Sequence, residues 1–380
     1  MRLSTIRWSR GIAKVRRSLR GPQPANAFAF AILLSVLMLM AGCQISPRRF
    51  CNGCPNPTST PTPTPGGSPS PTPTPAPGAP GKLYVSDPNN NSILRFDGAN
   101  TADANLQPIA TIQGASTLIN SPQHIFVDGP SDTLYVANQG NVLAFASAST
   151  KTGDVAPDRN INGVATGLNA PVDVSFDDAK DLLYVADTRD VLVFNNGSTV
   201  TGNTAFFHDI KVGFIISALF LDSTNDRLYL ADSAANAIHV FDSASTLNNT
   251  VAATRTISGG STQLNQPTGI AVDAVGKLIV DNANGSIIIF VNAAAATGNA
   301  APQVIISGAN TTLNNPAQIA VNDSTSLVEL FVANFGGGNV PIFSDLGSKP
   351  GNIAPSRNIN GSATGLSVSG VRGITLDTTR

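Results

Sequence analysis

A unit of about 50 residues recurs six times along this chain, and that recurrence limits the fold more than any other feature. Its clearest part is a short apolar run: Leu83-Tyr-Val85, Leu134-Tyr-Val136, Leu183-Tyr-Val185, Leu228-Tyr-Leu230, Leu278-Ile-Val280 and Leu330-Phe-Val332. The central residues Tyr84, Tyr135, Tyr184, Tyr229, Ile279 and Phe331 are spaced 51, 49, 45, 50 and 52 apart. A period of this size marks a solenoid, a propeller or an array. The runs are three to five residues long and bounded by Gly, Asn, Asp and Pro. They are too short for helices and punctuated like strands.

Three further runs accompany each copy. The run before it ends in Asp128, Asp177, Asp222, Asp273, Asn322 and Asp377, and the run after it ends in Phe96, Phe145, Phe194, Phe241, Phe290 and Phe343. A fourth is visible at Ile112, Ile161, Ile257, Ile306 and Ile359, followed by Gly114, Gly163, Gly259, Gly308 and Gly361. Four short strands per unit match one propeller blade. The second runs are apolar at consecutive positions, whereas antiparallel strands usually keep one wet face. Blades packed face to face cover both. The expected fold is therefore all-β: a six-bladed β-propeller of four-stranded antiparallel blades. The chain enters this domain on a second strand, Leu83-Tyr-Val85, and leaves on a first strand, Gly373 to Asp377. The C-terminal strand should close the first blade and remove an open edge.

The pattern Pro-x-Gly-Ile-Ala-Val-Asp, then Leu-Tyr-Val-Ala-Asp, then Asn-x-Ile-x-Val-Phe resembles the NHL-repeat family of six-bladed propellers. It is strongest at Pro267 to Asp273, Leu183 to Asp187 and Asn236 to Phe241, and extends over about residues 82–380. Two departures stand out. Phe206 to Phe214 replaces the Pro and Gly in the third unit, and Val371 stands where the last Pro would be. The resemblance implies mostly partner binding, with some enzymes among the relatives. Relatives that hydrolyse lactones hold a divalent metal with Glu, Asn and Asp at the channel mouth. The single Glu of this chain, Glu329, falls at a strand start and does not match that role.

Residues 1–50 carry nine Lys or Arg and no acid; a basic start, an apolar stretch from about Ala25 to Met40 and Ala41-Gly42-Cys43 describe an export signal. Cys43 after Ala-Gly resembles a bacterial lipobox, which implies a signal peptide over 1–42, lipidation of Cys43 and an extracytoplasmic, lipid-anchored location at a bacterial cell envelope. The apolar stretch is shorter than the roughly 20 residues a spanning helix needs. Cys51 and Cys54 fit a small local disulfide in an exported chain better than a redox pair. From Cys43 to Gly81 the chain is a linker, dominated by Pro, Thr, Ser and Gly, which favours an extended, disordered stalk. Beyond residue 50 there are 14 basic and 24 acidic residues, a balance of −10. That argues against nucleic acid as a partner. The expected partners are the membrane, through Cys43, and a protein or a small polar ligand. The domain is expected to be a monomer.

No residue set names a reaction. His124, His208 and His239 are scattered, so neither a metal site nor a catalytic set is expected. The Asp and Asn series after the first and second strands read as turn caps. Trp8 is the only Trp and lies in the signal, which disfavours quinone-type propellers, and no cofactor is expected. Positions at the start of the inner strands should face the axis: Gln123, His124, Asp173, Ser217, Thr268, Gln318 and Arg372. A channel so lined suits water, a small polar ligand or a cation. Two readings follow: a tethered binding or scaffolding propeller, or an extracytoplasmic lactonase- or lyase-like enzyme working in the channel.

Overall fold

The computed structural model describes residues 81–324, 328–346 and 350–380. The expected signal peptide and linker, with Cys43, Cys51 and Cys54, lie outside the described residues. Six sheets form, each built on four antiparallel strands, with no strand shared between them. The second strands are Lys82–Asp87, Thr133–Asn138, Leu182–Asp187, Arg227–Asp232, Leu278–Asn282 and Glu329–Ala333. We number blades 1 to 6 in that order. The first strands are Gly373–Asp377 for blade 1, then Ile125–Asp128, Pro171–Asp177, Ile216–Asp222, Pro267–Val272 and Gln318–Asn322. Each first strand packs against the first strand of the next blade, all the way round. They are the inner strands of a closed six-bladed propeller.

The apolar second strands are explained by their two covered faces. Successive side chains in a strand point to opposite faces. Tyr84 enters the apolar layer between blades 1 and 2, while Leu83 and Val85 enter the layer between blades 6 and 1. The same division repeats, so that one apolar cluster fills each of the six interfaces. Every residue of Lys82–Asp87 is buried, as is every residue of Leu182–Asp187.

The chain closes its ring as its phase predicts. Gly373–Asp377 pairs antiparallel with Lys82–Asp87, placing Leu376 opposite Leu83 and Ile374 opposite Val85. The Gly81 N–H also donates to the Arg380 carbonyl at 2.7 Å.

Blade 3 differs from the expected four strands. Its outer strand is His208–Lys211, the fourth run that the sequence pattern hides in this unit, with Ile210 fully buried. A fifth strand, Asn249–Thr250, reaches over from the loop after the third strand of blade 4 and pairs parallel with it. Phe206 to Phe214 therefore makes the outer edge of blade 3 and the crossing to blade 4, whose inner strand begins at Ile216. The bulge at Ile216 and Ala218 matches the bulges beside Pro171 and Pro267.

After five of the outer strands the chain makes the same clip, Gly-x-x-Thr. At Gly308-Ala-Asn-Thr311 the Thr311 hydroxyl donates to the Gly308 carbonyl at 2.7 Å, and Asn352 of the next blade accepts from the Asn310 N–H at 2.7 Å. Gly308 has φ +120, and a Cβ there would lie 2.6 Å from the Asn352 side chain. Gly308→Ala is therefore expected to destabilise the domain by roughly 1–3 kcal/mol. Gly260→Ala, where a Cβ meets open space, should change little. Denaturant unfolding of both variants is the check, and equal stabilities would contradict the clip.

Candidate functional site

The two residues after the Pro position of each inner strand bring the predicted channel residues to one end of the ring. Most of them are committed to fastening neighbouring blades. The Ser217 hydroxyl lies 2.7 Å from the Pro267 carbonyl, and the Thr268 hydroxyl 2.8 Å from the Pro316 carbonyl. The His124 N–H donates to the Val172 carbonyl at 3.2 Å. Asp173 accepts from the Leu219 N–H at 2.8 Å. In blade 1 the same task falls to Ser86, whose hydroxyl donates to the Gln123 carbonyl at 2.7 Å. Gln318 reaches furthest: its Oε1 accepts from the Ile374 N–H of blade 1 at 2.7 Å and lies 3.5 Å from the Ile125 N of blade 2. Gly373 and Gly269 leave room for this, since a Cβ on Gly373 would lie 2.5 Å from the Gln123 carbonyl oxygen. The belt is thus nearly saturated internally.

Within it sit a buried His–Asp pair and one carboxyl of different character, Asp281. His124 Nδ1 lies 3.0 Å from Asp173 Oδ2, and both residues are 2% exposed. Asp281, on the second strand of blade 5, is fully buried. Its Oδ1 lies 3.0 Å from the Thr268 hydroxyl, and its Oδ2 has no hydrogen-bond partner among the described residues. Burial pushes its carboxyl up from 3.8 to about 6; the hydrogen bond from the Thr268 hydroxyl, the nearby His124 and backbone N–H groups oppose the rise without cancelling it. Proton counting agrees. The Thr268 hydroxyl has one proton and two acceptors in reach, Asp281 and the Pro316 carbonyl. A protonated Asp281 can donate to Thr268 and leave the hydroxyl proton for the Pro316 carbonyl, whereas an ionised Asp281 competes for that proton and otherwise relies on the backbone N–H groups of Gly269 and of Asp281 itself. Asp281 therefore exchanges a proton near neutral pH inside the ring, a property that marks candidate acid–base or binding groups.

Asp281 is not among the channel residues expected from the sequence, although the repeat contains the signal. The equivalent residues in the other blades are Ser86, Ala137, Ala186, Ala231 and Ala333. A carboxylate at a position otherwise small and neutral is an outlier that aligning the units exposes.

Arg372 is a second uncompensated group at this end of the ring. Its guanidinium carbon lies 5.6 Å from the centre of the Phe335 ring. Burial pushes its pKa below the usual value, and Nε has no partner. Gln123, the remaining predicted residue, donates back to its own turn at the Ser121 carbonyl, 3.0 Å.

The other polar candidates are architectural. Asp177 accepts from the Lys180 N–H, Asp222 from the Asn225 N–H, and Asp273 from the Lys277 N–H, each closing its turn. In the second series Asp87 likewise accepts from the nearby Asn89 N–H, whereas Asn138, Asn282 and Asn334 accept from the N–H groups of Asn120, Asn265 and Asn314 and so tie the loop before each inner strand to the second strand. Glu329 is held by Arg357 at 2.6 Å. His239 stacks on Phe214, and His208 on Phe207. No group of three or more His, Cys, Asp or Glu that could hold a metal ion occurs among the described residues. A cavity of about 300 Å³ lies away from the belt, between blades 4 and 5, lined among others by Arg227, Tyr229, Val275 and Val291.

No family model and no curated protein matches the chain. Among solved structures, a chain from the crystal structure of a nidogen/laminin complex is similar, with a TM-score of 0.52 and 13% identity, over 78% of this chain and 98% of that one. At that identity the likeness concerns the fold alone: a six-bladed propeller.

Proposed function

We propose that this chain is a membrane-tethered, extracytoplasmic β-propeller that acts as a binding or scaffolding module for a protein or a small ligand. The observation that carries the reading is how the ring uses its polar residues. Turn carboxylates cap backbone amides and belt residues fasten blades, and of the buried polar atoms left without a partner among the described residues, Asp281 Oδ2 and Arg372 Nε are the ones at the end of the channel where the inner strands start. The similar solved chain comes from a complex of two proteins, which agrees with a protein partner. The basic start, apolar stretch and Ala-Gly-Cys43 support the lipid anchor, and the NHL-like repeat supports membership in that broader class.

Photo-crosslinking in cells tests the module. Val368 is 69% exposed at the end where the inner strands start, and Val275 is 72% exposed at the opposite end. A crosslinker at position 368 should give discrete adducts, and one at position 275 should not. Adducts from neither position would remove the protein partner from the reading. Cys43→Ala tests the tether: the variant is expected to leave the lipidated membrane fraction while the propeller still folds. Unchanged partition with membranes would show that Cys43 is not the anchor.

One observation favours the enzyme reading, a lactonase- or lyase-like reaction in the channel: a buried carboxyl that titrates near neutral pH. A stoichiometric bound cation together with lactone hydrolysis by the purified protein would move the assignment there.

A further inference from the structure

We propose that Arg372, laid on the ring of Phe335 at the end of the channel, is a recognition site for a carboxylate. The inference rests on reading the domain as a binding module and names the ligand chemistry of that module.

Eight arginines occur among the described residues, and seven are employed. Arg95, Arg227, Arg255, Arg357 and Arg380 donate to carboxylates, while Arg159 and Arg189 donate to backbone carbonyls. Arg372 alone makes no side-chain hydrogen bond and no ion pair among the described residues. Its Nε is buried without a partner, yet the residue as a whole is only half-buried. The guanidinium fork therefore has a dry edge and an open edge. A buried donor left unmade is costly, and a cation over an aromatic face regains only part of that cost at a partly exposed site.

The chemistry of the missing partner follows from geometry and charge. A guanidinium presents parallel N–H groups that match a planar carboxylate with two hydrogen bonds. One unpaired cation neutralises one negative charge. The domain around it is acidic, with 24 acidic against 14 basic residues beyond residue 50. A multiply charged phosphate or a nucleic acid meets stronger repulsion there than a single carboxylate does. The backbone of Arg372 is held independently, by its N–H to the Ser86 carbonyl at 3.1 Å. The side chain is thus free to serve a ligand without being needed to close the ring.

The test uses the full-length protein, labelled with 15N-arginine, and sodium acetate titrated against sodium chloride at matched ionic strength. The Nε–H resonance of Arg372 is expected to move saturably with acetate and not with chloride. Acetate should also raise the melting temperature, because a ligand bound only to the folded state stabilises it. Arg372→Gln should fold and lose that rise. Two peptides separate the sources of a carboxylate: N-acetyl-Gly-Asp-Gly-amide offers it on a side chain, and N-acetyl-Gly-Gly-Gly offers it at a C-terminus. A shift with either, or with acetate alone, supports the site and assigns its source. Equal responses to chloride, a stronger response to phosphate than to acetate, or an unaltered acetate response in Arg372→Gln would each overturn it. Adducts at position 368 that persist in Arg372→Gln, with no acetate response in the native protein, would leave the module standing and remove only the carboxylate site.

Discussion

Deletion of residues 370–380 is expected to unfold the domain. The deletion removes Gly373–Asp377, the inner strand of blade 1, and with it the buried Val371 and Ile374. Each large buried apolar side chain lost corresponds to roughly 1.5–3 kcal/mol. The strand also supplies the Ile374 N–H that Gln318 accepts and the Thr375 hydroxyl that accepts from the Val127 N–H at 3.1 Å. Its loss exposes an inner sheet edge and unfastens blades 6 and 2 together. Against a net stability of roughly 5–15 kcal/mol, these losses leave little or nothing. A deletion of residues 55–80, which removes none of the described residues, should melt with the full-length protein. Thermal unfolding by circular dichroism of both deletions is the measurement. A C-terminal deletion that melts normally would mean the ring is not held by that strand.

The second large effect is expected at Asp281, and it is a gain. A buried carboxyl raised from 3.8 to about 6 favours the folded state in its neutral form. The folded protein binds this proton more tightly than the unfolded chain does. The contribution is therefore fully present below about pH 4 and is lost as pH rises through about 6. The difference in pKa corresponds to about 3 kcal/mol. Asp281→Asn keeps the shape, supplies N–H donors to Thr268 and cannot ionise. It is expected to be more stable than the native protein at pH 7–8 by up to that amount, and to lack the decline between pH 4 and 6. At pH 4 the two should be close. Urea unfolding at a series of pH values reads the difference directly. If Asp281→Asn is less stable at every pH, the ionised carboxylate has a partner that its present surroundings do not reveal. Retaining a destabilising carboxyl where the other blades hold Ala or Ser is what a functional requirement would produce.

Much of the architecture was legible in the order of residues alone. Strand identity, blade number and the closing role of Gly373 to Asp377 follow from short apolar runs, a period of about 50 and the phase at which the repeat begins and ends. These are local or periodic properties. A propeller interface joins the same positions of successive units, so one unit's pattern specifies all six interfaces. The turn roles of Asp177, Asp222 and Asp273 were legible for the same reason, because each bonds an amide three or four residues away.

The site was less legible because its physics depends on single residues in different blades. The chain order places Gln318 and Ile125 193 residues apart, and nothing in either segment announces that one reaches the other across the ring. The tie between Asp173 and Leu219 spans 46 residues and removes Asp173 from the set of free channel groups. Blade 3 gained its fifth strand from a loop whose composition, Asn and Thr, carries no strand signal. By itself the sequence determined a closed six-bladed ring and the polar residues at one end of it. Only the tertiary structure decided that Ser217, Thr268 and Gln318 are used up in fastening blades, while Asp281 and Arg372 are not. A hydrogen bond depends on where the partner atom ends up, and a repeat pattern constrains backbones far more tightly than it constrains the one side chain that breaks it.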